Sequence, residues 1–387
     1  MKSEKNRDNY SGFEQGPIRP PSEADSLLIR VTRNCPWNHC TFCPVYKGAP
    51  FSIRPVSHVK QDIDTVCRFI DRLEKLADPG GRIARMDIQK LFENIDPSDS
   101  QALQAALSWY AAGMRSIFIQ DANSLIIKPE RLIDILTHIK NRFPRVDRIT
   151  SYARSHTIAK ISDGDLSAMG SAGLNRIHIG LESGSDQVLK MIKKGVTKEI
   201  QIKAGIKVKR AGIELSEYVM PGLGGQGLSE DHALETADAL NRINPDFIRL
   251  RTLAIPNRVP LFDDFSKGLF KKCTDRMTVK EIMRFLESLN GIESMIKSDH
   301  ILNLFQEVEG KLPEERDRIL APLRAFARLD PDRQCLYQVG RRLGIFSRLS
   351  DMDSPHRIAK VEKTCRQHGI TPENVDDTVD ELMKRFI

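Results

Sequence analysis

Residues 148–185 read RITSYARSHTIAKISDGDLSAMGSAGLNRIHIGLESGS. Two short β-branched runs, Arg148–Ala153 and Arg176–Leu181, bracket a stretch whose spacing predicts a helix near 163–172. Strand, helix, strand in one short segment is a βαβ unit, because parallel neighbours need a crossover connection. Each run ends on polar residues, Arg154 after the first and Glu182 after the second.

The pattern extends on both sides. Upstream, Ser26–Thr32 (SLLIRVT) reads as a buried strand. A helix over 57–76 follows, with Val59, Ile63, Val66, Cys67, Ile70 and Leu73 on one face. Residues 77–97, with Pro79-Gly80-Gly81, read mainly as loop, and a helix covers about 99–112. Strand Ser116–Gln120 precedes helix 129–142, whose Pro129 suits a first turn. Downstream come helix 186–194 with Ser185 as N-cap and Gly195 beyond its end, helix 198–211, strand Glu214–Val219, helix 230–242 capped by Ser229, and strand Phe247–Leu253. This is β followed by α about six times over 26–265. It implies an α/β fold with a parallel sheet, either open and doubly wound or a full or partial barrel. In each case ligands gather at the C-terminal ends of the strands.

Residues 1–25 are polar and carry Pro17, Pro20 and Pro21, as in a flexible arm. In 266–387 no strand run stands out; helices are expected at 278–297, 299–309, 313–328, 355–367 and 376–386. The domain reading is therefore an N-terminal arm (1–25), a core (26–265) with a helical insertion at about 55–112, and a helical C-terminal region (266–387). No apolar run is long enough for a membrane span, and the N-terminus lacks a secretory h-region, so a cytoplasmic location is expected.

The net charge of +7 is modest for 387 residues. It leaves nucleic acid as a weakly supported partner. Lys190, Lys193, Lys194, Lys198, Lys203, Lys207, Lys209 and Arg210 contribute much of it and read as a solvated outer helix face. The seven cysteines are an odd number in a chain without an export signal, which argues against a disulfide framework.

Three of these cysteines fall together in Arg33-Asn34-Cys35-Pro36-Trp37-Asn38-His39-Cys40-Thr41-Phe42-Cys43-Pro44, directly after the first strand. Thiolates at this spacing can converge on iron or zinc. A structural zinc site takes four protein ligands, and His39 next to Cys40 is an awkward fourth. Three ligands on a four-iron cluster leave one iron open, which is what a catalytic centre needs. A non-catalytic metal scaffold is the bland alternative.

This loop resembles the radical S-adenosylmethionine superfamily, whose common signature is Cys-x3-Cys-x2-Cys with an aromatic before the last cysteine. Phe42 matches the aromatic, while the first gap is longer by one residue, as in an uncharacterised bacterial subgroup. The resemblance implies a partial (βα)6 TIM-type barrel with a helical C-terminal region. It implies a [4Fe–4S] cluster on Cys35, Cys40 and Cys43, with S-adenosyl-L-methionine as the second cofactor. It implies reductive cleavage to a 5′-deoxyadenosyl radical that abstracts hydrogen from a substrate, and an external flavodoxin- or ferredoxin-like electron donor.

It also assigns the other strand ends. Asp121 and Asn123 in QDANS stand where the family binds the methionine amino group, unless they form an Asx turn. Arg154 suits the methionine carboxylate, unless it pairs with a neighbouring acid. Glu182 and Ser183 in GLESGS stand where related proteins reach the ribose or the methionine. Gly222 and Gly224 lie where a glycine-rich segment approaches the adenine, or they simply make a tight turn. With Gly227 they match G-x-G-x-x-G, but too late in the chain for a dinucleotide fingerprint. An RNA-modifying member of the superfamily is the second functional reading.

Overall fold

The computed structural model describes residues 9–384. The start of the expected arm and the end of the expected helix 376–386 lie outside the described residues. Ten strands form: β1 (Leu27–Arg30), β2 (Thr32–Arg33), β3 (Ser52–Ile53), β4 (Ser116–Gln120), β5 (Arg148–Ala153), β6 (Leu174–Glu182), β7 (Glu214–Val219), β8 (Phe247–Leu250), β9 (Met295–Lys297) and β10 (Gly310–Lys311). The main sheet runs β1-β4-β5-β6-β7-β8-β9-β10, while β2 and β3 pair separately. All neighbours from β1 to β9 are parallel, and β10 turns back antiparallel on β9. The sheet does not close between β1 and β10. This is the expected α/β fold, a mostly parallel partial barrel with a helical C-terminal region.

The helices are α1 (Val56–Leu76), α2 (Arg85–Glu93), α3 (Ser100–Ala111), α4 (Pro129–Arg142), α5 (Ser155–Ile158), α6 (Asp163–Ser171), α7 (Asp186–Met191), α8 (Lys198–Arg210), α9 (Gly225–Ile243), α10 (Pro260–Ser266), α11 (Asp275–Glu287), α12 (Arg316–Arg328), α13 (Pro331–Arg342), α14 (Pro355–His368) and α15 (Val375–Met383). None of them is long and apolar enough to cross a membrane among the described residues.

Several expectations are corrected. Residues 85–93 form α2 rather than loop, although only Leu91 of that helix is buried. The helix expected at 278–297 ends at Glu287, and Met295–Lys297 becomes β9 on the edge of β8. Three residues are too few to carry a periodic signal, so only the tertiary pairing makes them a strand. No helix forms over 299–309, whereas α13 was not foreseen. The helix expected at 230–242 forms, but α9 extends back to Gly225 across a kink at Leu228 (φ −123°), and the Ser229 hydroxyl donates to Glu281. The described part of the arm is docked. Phe13 is buried, and Glu14 pairs with Arg30 at 2.7 Å and Arg33 at 2.9 Å.

The two faces of the sheet differ. Leu27, Ile29, Ile117, Ile119, Ile177 and Ile248 point one way and join a single apolar core with Val59 and Ile63 of α1, Leu103 of α3 and Leu136 of α4. Alternate residues point to the hollow of the barrel, as the period of a strand requires. There Phe118, Tyr152, His178 and Tyr218 pack ring to ring, with centroids 5.2, 5.7 and 6.1 Å apart in that order. Glu23, in the turn before β1, meets the His178 ring at 3.3 Å and plugs this face.

Both partners of that pair are fully buried. Burial pushes the His178 imidazole below its usual range, with Glu23 opposing the shift. His300 is likewise pushed down, to about 4, by burial and by Arg251. A histidine depressed in the folded state contributes full stability above its unfolded value of about 6.5, and loses it as pH falls from there. Urea unfolding at pH 5.5 should therefore show lower stability than at pH 7.5, at up to about 1.4 kcal/mol per pH unit for each such group. His178→Gln should flatten the slope. Equal stability at both pH values for the wild type would exclude this account.

Candidate functional site

The cysteine loop leaves the sheet at the C-terminal edge of β1. It returns through β3, which pairs with β2 (Thr32 opposite Ile53, Arg33 opposite Ser52). Asn34 and Asn38 have φ of 68° and 49°, a left-handed turn on each side of Cys35 that asparagine tolerates. The Asn38 N–H points at Cys35 Sγ, 3.5 Å away. Both ends of the loop are tied to Asp121 at the end of β4. This carboxylate is fully buried. It accepts from Arg30 Nε at 3.0 Å and Nη2 at 2.7 Å, from the Asn34 N–H at 2.9 Å, and from the Tyr46 hydroxyl.

The crown of the loop docks on the segment after α7. Trp37 Nε1 donates to the Lys193 carbonyl at 2.8 Å, and the Thr41 N–H to that of Ile192 at 3.0 Å. Gly195, with φ of 72°, has no room for a side chain because the Trp37 ring sits against it. Phe42 packs into a small apolar cluster with Val188, Ile192, Met220 and Leu223.

Cys35, Cys40 and Cys43 are all free and half-buried. Burial pushes the Cys40 and Cys43 thiols up, and the Lys194 ammonium opposes it in both. Cys43 is also raised by Cys35, and Cys40 by Cys43, so the three sulfurs act on one another. The Lys194 ammonium meets Glu182 at 3.0 Å. The Arg154 guanidinium stacks over Trp37 at 4.9 Å and is acted on by Cys35 and Cys40. Two cations thus face the thiols, Arg154 from the end of β5 and Lys194 from the segment after α7.

This donor set fits an iron–sulfur cube. Thiolates are the usual ligands of such clusters. The negative charge they carry needs compensation in a half-buried site, and Lys194 and Arg154 are placed to provide it. Among the described residues no three His, Cys, Asp or Glu side chains converge on a single-ion site. His39 is exposed and packs edge-on against Trp37 at 4.9 Å. Of the other cysteines, Cys67 sits on α1, Cys273 is buried beside Gly222, and Cys335 and Cys365 are buried on α13 and α14.

The strand-end residues divide. Arg154 and Glu182 come to the cysteines. Glu182 does so in a left-handed conformation, φ 63°, at an irregularity in the pairing of β6 and β7. Asn123 is fully buried and is used internally: it accepts the Arg154 N–H at 3.0 Å and donates to Thr157 at 2.9 Å. Ser183 is buried too, bonded to His232 Nδ1 at 2.8 Å and to the Ser185 N–H at 3.0 Å. Ser185 does cap α7, accepting from the Val188 N–H at 3.3 Å. The Gly222 N–H donates to Glu281 at 2.6 Å, and Gly224 lies against the Leu228 backbone, so the tight turn is present.

Lys194 is the residue that sequence reading misplaced. The sequence pattern puts it on a solvated helix face, yet its side chain is only 12% exposed. No local signal separates it from Lys190 or Lys193, because α7 ends at Met191 and the burial comes from Phe42 and Glu182 across the fold. Glu217 was also missed. Its side chain lies in the protein with no hydrogen-bond partner for Oε2 among the described residues, and burial pushes its carboxyl well above the usual range.

Comparison with known proteins places this geometry. The chain is similar to the tRNA uridine(34) acetyltransferases of Methanocaldococcus infernus, at 22% identity over 70% of this chain and 51% of that protein, and of Methanocaldococcus jannaschii, at 21% over 70% and 50%. It spans about half the length of these curated relatives. Among solved structures, Escherichia coli coproporphyrinogen III oxidase aligns with TM-score 0.44 at 14% identity, covering 68% of this chain and 52% of that one. The family model described as "Radical SAM superfamily" matches residues 29–240, more than half of the chain and the whole of the region that carries the cysteine loop and the strand ends. This chain therefore belongs to the radical S-adenosylmethionine superfamily, a family of enzymes whose cofactors are a [4Fe–4S] cluster and S-adenosylmethionine.

Proposed function

We propose that Cys35, Cys40 and Cys43 hold three irons of the cluster, and that the protein cleaves S-adenosylmethionine reductively and abstracts hydrogen from a substrate. The observation that carries this reading is the pinned loop, with three free thiols at the C-terminal edge of the sheet and two cations facing them. When bound, the cofactor pair supplies one-electron chemistry that ends in a 5′-deoxyadenosyl radical; the electron comes from a flavodoxin- or ferredoxin-like donor.

The chain's own residues do the rest. Lys194 and Arg154 balance negative charge at the sulfurs. Trp37 pins the loop to the Lys193 carbonyl, and Phe42 packs against the apolar cluster beneath it and keeps water from that side. Glu182, held by Lys194, keeps acceptor capacity for an ammonium or hydroxyl of the nucleoside cofactor. Arg154 keeps donors for a carboxylate, since one nitrogen is engaged, with the Lys194 carbonyl at 2.8 Å. Asp121 takes a different part from the one its position suggests. Its carboxylate is engaged by four protein donors, so it positions the loop, while Asn123 positions Arg154. Ser183, Gly222 and Gly224 shape the turns behind the site.

A second reading is an RNA substrate. It is favoured by the similarity to tRNA uridine(34) acetyltransferases across 70% of this chain, together with the net charge of +7.

Three outcomes are expected. Anaerobic reconstitution should load about four irons and four sulfides per chain, and incubation with S-adenosylmethionine and dithionite should yield 5′-deoxyadenosine. Cys35→Ala, Cys40→Ala and Cys43→Ala should each lose both; purified anoxic protein holding zinc and no iron would sink the assignment. Asp121→Ala should leave Arg30 to Glu14 and leave the Asn34 N–H and Tyr46 hydroxyl unpaired, cost about 1–3 kcal/mol, and lower iron loading, with Asp121→Asn intermediate; iron content and a denaturation curve measure the two effects. If the substrate is RNA, tRNA binding should weaken linearly in log–log form with added salt, and filter binding that shows no retention at low salt would reject that reading.

A further inference from the structure

Beyond the cysteines, the hollow face of the barrel carries a second polar group that nothing in the cofactor site uses. The register places it. Tyr152 stands opposite His178, Gly180 opposite Tyr218, and Tyr218 opposite Arg249. Arg251, two residues after Arg249, continues that face past the end of β8, where its N–H bonds the Val219 carbonyl at 2.9 Å. Asp299 follows β9 and is held by Arg249 at 2.6 Å, which brings His300 to the same mouth.

The polar atoms here are rich in donors. The Tyr218 hydroxyl is buried, with the Tyr152 hydroxyl as its neighbour and no other partner among the described residues. The Arg251 side chain is exposed and has neither ion pair nor hydrogen bond among them. His300 accepts the Leu302 N–H on Nδ1 at 3.2 Å, so its proton sits on Nε2, which is left to donate. Tyr152 lies deep in the fold yet is only half-buried, as a residue lining a concavity must be. Of the carboxylates that act on these groups, Asp299 is held by Arg249 and Glu182 by Lys194. Arg251 acts electrostatically on Tyr152, Tyr218 and His300 alike, so the four groups share one space.

We propose that Arg251, Tyr152, Tyr218 and His300 form the substrate subsite of this barrel, and that it takes an oxyanion, a carboxylate or phosphate group carried by the substrate. Arg251 supplies charge and a forked pair of donors. The two phenols and the imidazole supply neutral donors in a place where an unmet donor is costly. The inference rests on the proposed radical chemistry for the word substrate, but its test does not.

The test is anion protection of Arg251 from phenylglyoxal. The reconstituted full-length protein is treated anaerobically with saturating S-adenosylmethionine present, and modified arginines are identified by peptide mass spectrometry. Inorganic phosphate and succinate are the two probes, at millimolar concentration. At least one should slow modification of Arg251 and leave the exposed Arg258 unaffected; the better protector identifies the anion. Tyr218→Phe should raise the anion concentration needed about tenfold, the loss of one bond to a charged group. Lack of protection by both anions, or equal protection of Arg251 and Arg258, overturns the proposal. So does full protection by S-adenosylmethionine alone, which would give Arg251 to the cofactor. A failure here with normal 5′-deoxyadenosine formation leaves the radical reading standing, and the reverse result separates the two as well.

Discussion

The Asp121 carboxylate is wholly out of water, and a charge in that position is tolerable only where donors surround it. Those donors come from three places: Arg30 on β1, the backbone at Asn34, where the cysteine loop begins, and Tyr46, where the loop turns back. One buried acid therefore fixes the entrance and exit of the loop relative to the sheet edge. Glu14 extends the network outward, because it shares Arg30 with Asp121. The arm, the first strand and the loop form one electrostatic unit, and the placing of the three thiols depends on it.

On the far side of the loop the logic is one of charge balance. Lys194 and Glu182 form a pair that is nearly covered, and both act on Cys40 and Cys43 with opposite sign. In so dry a setting each of these interactions weighs more than on the surface. The packing of Phe42 into its apolar cluster creates the dryness, and the left-handed Glu182 and Gly195 allow the backbone to come close enough. Packing and electrostatics at this end cannot be varied separately.

The sheet separates two tasks. Its outer face is aliphatic and holds the helices, which is where the stability resides. Its hollow face is aromatic and polar, plugged at one end by the Glu23–His178 pair and open at the other around Arg251. Strand alternation alone assigns residues to one task or the other, so chemistry at the mouth can change without disturbing the core.

Much of this was legible in the residues themselves. The βα alternation is a local property, since hydrophobic period and helix punctuation are written within each segment; six of the parallel strands follow from it. The three cysteines are also local, because their spacing and their place after a strand signal a metal loop without any partner. Other features have no local trace. β9 is a strand only because β8 offers an edge to it. Lys194 differs from its neighbouring lysines only in what folds over it, and Asp121 differs from a cofactor ligand only in the donors that remote residues bring. Arg251, Tyr152, Tyr218 and His300 come from four separate stretches of chain. Local chain chemistry determines which elements form and which loop carries sulfur; burial, and the charge partners that burial demands, are set only when remote segments meet.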